Sequence, residues 1–222
     1  MPFYVAPEQV MKDKADFARK GIARGRGLVA MGYDGGIAIV AENPSNSLRK
    51  VNEIYDRIAF AGVGKFNEFD RLRILAVRSA DMQGYQYSRD DVEARNLANE
   101  FAQWIGQIFT NEPKPLEVEI LVTEVGINGE SDSMFHILYD GTVADESNFS
   151  VLGGDAEAVT ERLRATWKEN MVLGAAIKIA VSALSGPDRQ IPAGDLEVGL
   201  LERSAARRCF RRLSDDEIAK LL

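Results

Sequence analysis

The sequence is poor in the side chains on which most enzyme sites are built. Its 222 residues hold a single histidine, His136, a single cysteine, Cys209, and no threonine before Thr110. One cysteine cannot close an internal disulfide, which excludes a disulfide scaffold and fits a reducing compartment. One histidine and one cysteine far apart offer no ligand cluster of the zinc type. No stretch approaches the roughly 18–20 apolar residues of a membrane span; runs such as Ile37 to Ala41 break within a few residues. The opening MPFYVAPEQVMKDKADFARK lacks the basic-then-apolar order of a secretory leader. Basic excess is also missing: 27 Lys and Arg against 34 Asp and Glu give a net charge of −7. That balance argues against nucleic acid as the main partner. A cytoplasmic chain without nucleic-acid or membrane partners is the expectation.

What is present is a globular composition with 45% apolar residues, enough to build a sizeable core without staples. Pro7 opens a helix through Lys20, with Val10, Met11, Phe17 and Ala18 as its apolar stripe. Leu28 to Met31 and Ile37 to Ala41 flank Asp34-Gly35-Gly36 and predict a β-hairpin. Strands are expected at Leu48 to Val51 and Arg57 to Val63. Two helices follow, striped by Phe66, Phe69, Arg73, Ala76, Val77 and Ala80, and by Ala94, Ala98, Phe101, Ile105 and Ile108. Leu116 to Thr123, Met134 to Tyr139 and Phe149 to Leu152 read as strands. Asp155 caps a helix striped by Val159, Leu163 and Trp167, and another helix ends at Gly186-Pro187. Strands return at Leu196 to Leu201 and Cys209 to Arg212, and Ser214 to Glu217 forms a capping box for a last helix. Grouped strands and paired helices predict an α+β fold with two antiparallel sheets between helical layers, in one domain.

Candidate chemistry is thin. Gly25-Arg26-Gly27-Leu28-Val29-Ala30 fits G-x-G-x-x-A, but a dinucleotide site needs a strand before it and a helix after it. Here the order is reversed, so permissive glycines at a helix-to-strand joint are the better reading. His136 sits between Phe135 and Ile137 in a strand pattern, without a G-x-S-x-G elbow, and reads as structural. Cys209 reads as a buried apolar side chain. Arg203, Arg207, Arg208, Arg211 and Arg212 form a basic run diluted by Glu202, Asp215 and Asp216, and read as a solvated or intersubunit face.

Longer stretches carry a resemblance. Gly27 to Asn43, GLVAMGYDGGIAIVAEN, and Leu48 to Gly64, LRKVNEIYDRIAFAGVG, resemble the opening strands of proteasome subunits. Ala6 to Gly21, Ala61 to Asp70, Lys114 to Glu119 and Tyr139 to Glu146 resemble the α-type subunits of actinobacterial proteasomes in particular. The resemblance implies a four-layer αββα sandwich of the N-terminal-nucleophile hydrolase type spanning residues 27–222, after a gate tail and helix in residues 1–26.

Active members of that family use an N-terminal threonine, assisted by a lysine and an aspartate. Matching the hairpin places Arg26 at the threonine position, Glu42 at the aspartate and Lys50 at the lysine. A guanidinium has no nucleophilic hydroxyl, so the resemblance implies a non-catalytic subunit of a threonine-type endopeptidase, without a cofactor. Implied partners are the β subunits, neighbouring α subunits in a heptameric ring, and a ring-shaped activator. The activator is either an AAA ATPase delivering modifier-tagged proteins or an ATP-independent ring. The resemblance assigns Lys50 to the activator's terminal carboxylate, with Pro7 and Arg19 shaping the gate-side turn and bracing the helix. Phe3, Tyr4 and Val5 are its gate candidates. An active hydrolase of the same fold and a small-ligand-binding domain are the alternatives.

Overall fold

Alternation along the strands sorts the apolar residues into three cores. The computed structural model describes residues 6–45, 47–126, 131–204 and 206–222. Among these, helix α1 (Pro7–Ala23) precedes strands β1 (Leu28–Tyr33), β2 (Gly36–Glu42), β3 (Val51–Tyr55) and β4 (Ile58–Gly64). Helices α2 (Phe66–Gln86) and α3 (Ala94–Asn111) follow, then β5 (Val118–Glu124), β6 (Ser133–Ile137), β7 (Val143–Glu146) and β8 (Phe149–Leu152). The chain continues through α4 (Ala156–Thr166), α5 (Leu173–Ser185), β9 (Leu196–Glu202), β10 (Phe210–Arg212) and α6 (Asp215–Leu221).

The strands form two sheets, ordered β10-β9-β2-β1-β8 and β3-β4-β5-β6-β7, with antiparallel neighbours. Every residue of β2 is buried because both faces are covered. Ala38 and Val40 join the core under α4, α5 and α6, whereas Ile37, Ile39 and Ala41 face the second sheet. In β4, Ile58 and Phe60 pack under α2 and α3, while Ala59, Ala61 and Val63 face the first sheet. Phe60 stacks on Phe69 at 5.3 Å and tilts against Phe101 at 5.4 Å. Burying side chains of this size contributes about 1.5–3 kcal/mol each. The expected αββα sandwich is therefore the one observed.

Helix α1 closes one end of the sandwich, and its apolar stripe differs from the expected one. Ala18 and Ile22 are the buried residues, whereas Val10 and Phe17 are 37% and 48% exposed. Only the last turns of α1 lie over the inter-sheet core, so its first turns project beyond it. The helix also runs through Gly21 rather than stopping there. A Cβ on Gly21 would stand 2.3 Å from Glu117 Oε2, so the glycine allows the close approach of helix and strand.

Two strand expectations need correction. Leu48 and Arg49 are not in the ladder, which begins at Val51 opposite Ala61. Asn43 Nδ2 donates to the Leu48 carbonyl at 2.7 Å and holds that segment in a turn. Strand β7 escaped the sequence reading because it is a half-exposed edge strand, whose polar Asp145 and Glu146 hide any alternation. The two caps agree with expectation: Asp155 accepts from Ala158 N, and Ser214 and Glu217 form a capping box.

Candidate functional site

Arg26 stands in the joint between α1 and β1, where the backbone passes through a narrow gap. A Cβ on Gly27 would lie 3.0 Å from Leu184 Cδ2. Gly154, at a φ of 56°, brings the turn before α4 against the same backbone. A side chain at either place would push the joint apart.

Beside this joint, Glu42 ends β2 and is only 3% exposed. A buried carboxylate needs partners, and it has two. Arg189 grips it with both nitrogens, Nη1 to Oε1 at 2.8 Å and Nη2 to Oε2 at 2.7 Å, while also donating to the Leu184 carbonyl at 3.0 Å. Arg26 Nη1 donates to Oε1 from the other side. The Arg189 hydrogen bonds, with help from Arg26, hold the Glu42 carboxyl below its ordinary range against the opposing effect of burial. These side chains, with Gly25, Gly154 and Arg162, line a cleft of about 290 Å³.

Lys50 closes the group from the start of β3. Its Nζ donates to the Arg26 carbonyl at 2.8 Å and to the Glu42 carbonyl at 3.0 Å. Its backbone is clamped too: the N–H donates to Glu197 Oε2 at 2.9 Å, and its carbonyl accepts from Gly62 N at 3.1 Å. Burial pushes the Lys50 ammonium down to about 8, although the Glu42 and Glu197 carboxylates pull it up.

Glu197 is the hinge pin of this corner. It points from β9 in the first sheet towards the edge of the second. It accepts from Asn43 Nδ2 at 2.7 Å and from Val51 N at 3.3 Å, and pairs with Arg212 Nη1.

The structure thus gathers Arg26, Glu42 and Lys50, as the sequence comparison of the hairpin expects. It does not gather Pro7. At about 1.5 Å per residue, the 17 residues of α1 put Pro7 about 25 Å from the Lys50 end. Arg19 stacks over the Tyr139 ring at 5.5 Å and lies 3.8 Å from Asp16, bracing α1 rather than joining the Lys50 group. Phe3, Tyr4 and Val5 lie outside the described residues.

Sequence reasoning missed Arg189, Glu197 and Asn43, and read Arg212 only as part of a solvated or intersubunit basic run. One signal was available: Glu197 interrupts the apolar run Leu196 to Leu201, and a carboxylate in a buried strand demands cations or N–H donors nearby.

The remaining candidates settle as structural features. His136 Nε2 faces Glu119 Oε2 at 3.4 Å inside the sandwich. Cys209 is buried, and burial pushes its thiol up, away from thiolate reactivity. Each of the five basic-run arginines has an acidic partner: Asp132, Asp56, Glu53, Glu202 and Glu197 meet Arg203, Arg207, Arg208, Arg211 and Arg212 in turn.

The Arg26 guanidinium at this corner is engaged by Glu42 and carries no nucleophilic hydroxyl. Comparison with known proteins supplies the family. The family described as proteasome subunit matches residues 22–189. The chain belongs to the proteasome subunit family. It is 59% identical to the proteasome subunit alpha of Acidimicrobium ferrooxidans over 222 residues, covering 100% of this chain and 96% of that protein. It is 54% identical to that of Xylanimonas cellulosilytica over 224 residues, covering 96% and 92% respectively. Against that of Thermobifida fusca it is 52% identical over 225 residues, covering 100% and 90%. This proteasome subunit is therefore of the non-catalytic α type. No helix among the described residues is long and apolar enough to cross a membrane.

Proposed function

We propose that this α-type subunit builds the outer heptameric rings of a cytoplasmic proteasome core, stacked on β subunits that carry the proteolytic threonines. Residues 1–222 act as one α-type domain: 27–222 as the sandwich, 1–26 as gate tail and helix. The tail residues Phe3, Tyr4 and Val5 converge on the ring axis and close the pore through which unfolded, modifier-tagged proteins pass. A ring-shaped activator, an AAA ATPase or an ATP-independent ring, opens it by inserting C-terminal tails between adjacent α subunits.

The observation that carries this reading is the state of Lys50. An ammonium has three N–H donors. Two are fixed on the Arg26 and Glu42 carbonyls, and the third, without a partner among the described residues, is left for an incoming carboxylate. Charge-assisted bonds of this kind are about twice as strong as neutral ones. Pro7 shapes the gate-side turn and Arg19 braces α1 against Tyr139, so both serve the activator-binding face through the helix rather than by touching Lys50.

Co-purification with the matched β subunit tests the reading. The α chain alone is expected to show no peptide turnover, and the mixture to form a large barrel that cleaves peptides. Threonine-inhibitor-sensitive turnover by the purified α chain alone would overturn it.

A further inference from the structure

The direction in which Lys50 offers its third N–H when charged is the direction in which it offers an electron pair when neutral. An amine keeps two N–H groups and one lone pair on a tetrahedral nitrogen. With two donors held by the Arg26 carbonyl at 2.8 Å and the Glu42 carbonyl at 3.0 Å, the pair occupies the remaining corner. The residue is neither swallowed by the core nor free: its side chain is partly exposed, and its backbone is pinned by Glu197 and Gly62. The amine is therefore presented in one fixed orientation, unlike the freely rotating Lys12 and Lys178 on exposed helix surfaces.

We propose that Lys50 is an acylation site of this subunit, modified by small acyl phosphates. The consequence we draw, that acylation switches activator docking off, rests on the docking role proposed above. In the reaction the Nζ lone pair attacks the acyl carbon and a C–N bond forms. The C–O bond to phosphate breaks, phosphate leaves with that electron pair, and one amine proton passes to solvent. The amide product has no charge and a single N–H, so it cannot hold both carbonyls and a carboxylate.

The charges facing Nζ suit this chemistry. Glu42 on β2 and Glu197 on β9 are each neutralised by arginines, Arg189 with Arg26 and Arg212 respectively. The backbone carbonyls stay the direct partners of Nζ. Burial, the dominant influence, brings the group down to about 8. At pH 7.5 about a quarter of Lys50 would be unprotonated, against roughly one in a thousand for an ordinary lysine.

The test uses the unmodified full-length chain and acetyl phosphate across pH 6.5–9.5, with peptide mass spectrometry reading the rate at each lysine. Lys50 is expected to react about tenfold faster than Lys12 and Lys178 at pH 7.5. Its rate should flatten above about pH 8.5 while theirs keep rising. A Lys50 rate no higher than theirs, or a parallel pH profile, would overturn the acylation site and leave the docking role standing. Acetylated particles are then assayed for binding of the matched AAA ATPase, with loss expected. Full binding with Lys50 acetylated would overturn the docking role and the switch, while the modification itself would stand.

Discussion

Replacing Glu197 by alanine tests whether one buried carboxylate joins the two sheets at the functional corner. The wild-type carboxylate receives the Lys50 and Val51 backbone N–H groups, the Asn43 amide and the Arg212 guanidinium. Val51 is fully buried, so its N–H would be left without water or partner, a loss of about 1–3 kcal/mol. Lys50 N–H is partly buried and adds about 1 kcal/mol on the same scale. Arg212 keeps its bond to the Val51 carbonyl and is 29% exposed, so its share stays below the cost of stranding a fully buried charge. Together these give a destabilisation of about 3–5 kcal/mol. At about 2–4 °C per kcal/mol for a chain of this size, Tm should fall by roughly 10 °C. Glu197→Gln retains one acceptor oxygen for the backbone donors but loses the charge opposite Arg212, so it should cost about half as much. Denaturant unfolding followed by the fluorescence of Trp104 and Trp167 measures both. A loss under about 1 kcal/mol for the alanine variant, or equal losses for the two variants, would show that β9 does not pin β3 through this side chain.

Lys50→Ala is expected to weaken activator docking by about 1.5–3 kcal/mol per tail, more when several tails engage one ring, with the barrel intact in sizing experiments. Undiminished ATPase-dependent degradation would remove Lys50 from the pocket. Because burial depresses Lys50 to about 8, the charged form that binds a carboxylate dominates below that pH and is lost above it. Affinity for a carboxylate-ending tail should therefore be full near pH 7 and fall by up to tenfold per unit above pH 8; a flat titration from pH 7 to 9.5 would contradict this. If the proposed gate holds, with apolar tails closing the pore by weak collective contacts, deleting Pro2 to Ala6 should raise basal cleavage of small peptides and of an unfolded protein by the assembled particle. Wild-type rates on both substrates would leave these residues without a gating role.

Local signals were enough for much of this fold. Apolar runs around turn residues in β1, β2 and β4, period-two alternation in β5 and helical spacing in α2 and α3 identify strands and helices, because each pattern is the imprint of faces turned to a core. Pro7, Asp155 and the Ser214–Glu217 box mark helix starts, since a cap depends on residues three positions apart. Arg26, Glu42 and Lys50 lie within one segment of 25 residues, but it was the segment's resemblance to active family members, not its spacing, that made their meeting legible. What lay outside the sequence depends on contacts across long separations. Edge strand β7 has one exposed face and no pattern to betray it. The exposed first turns of α1 look like the buried last ones until the sandwich shows where it ends. Arg189 and Glu42 stand 147 residues apart, as do Glu197 and Lys50, and no local spacing records such a pairing. By resemblance alone, the sequence puts Arg26 where active relatives carry their threonine. Only the packing of two sheets decided that the lysine of this corner would be clamped between two carbonyls and brought down to about 8 by burial.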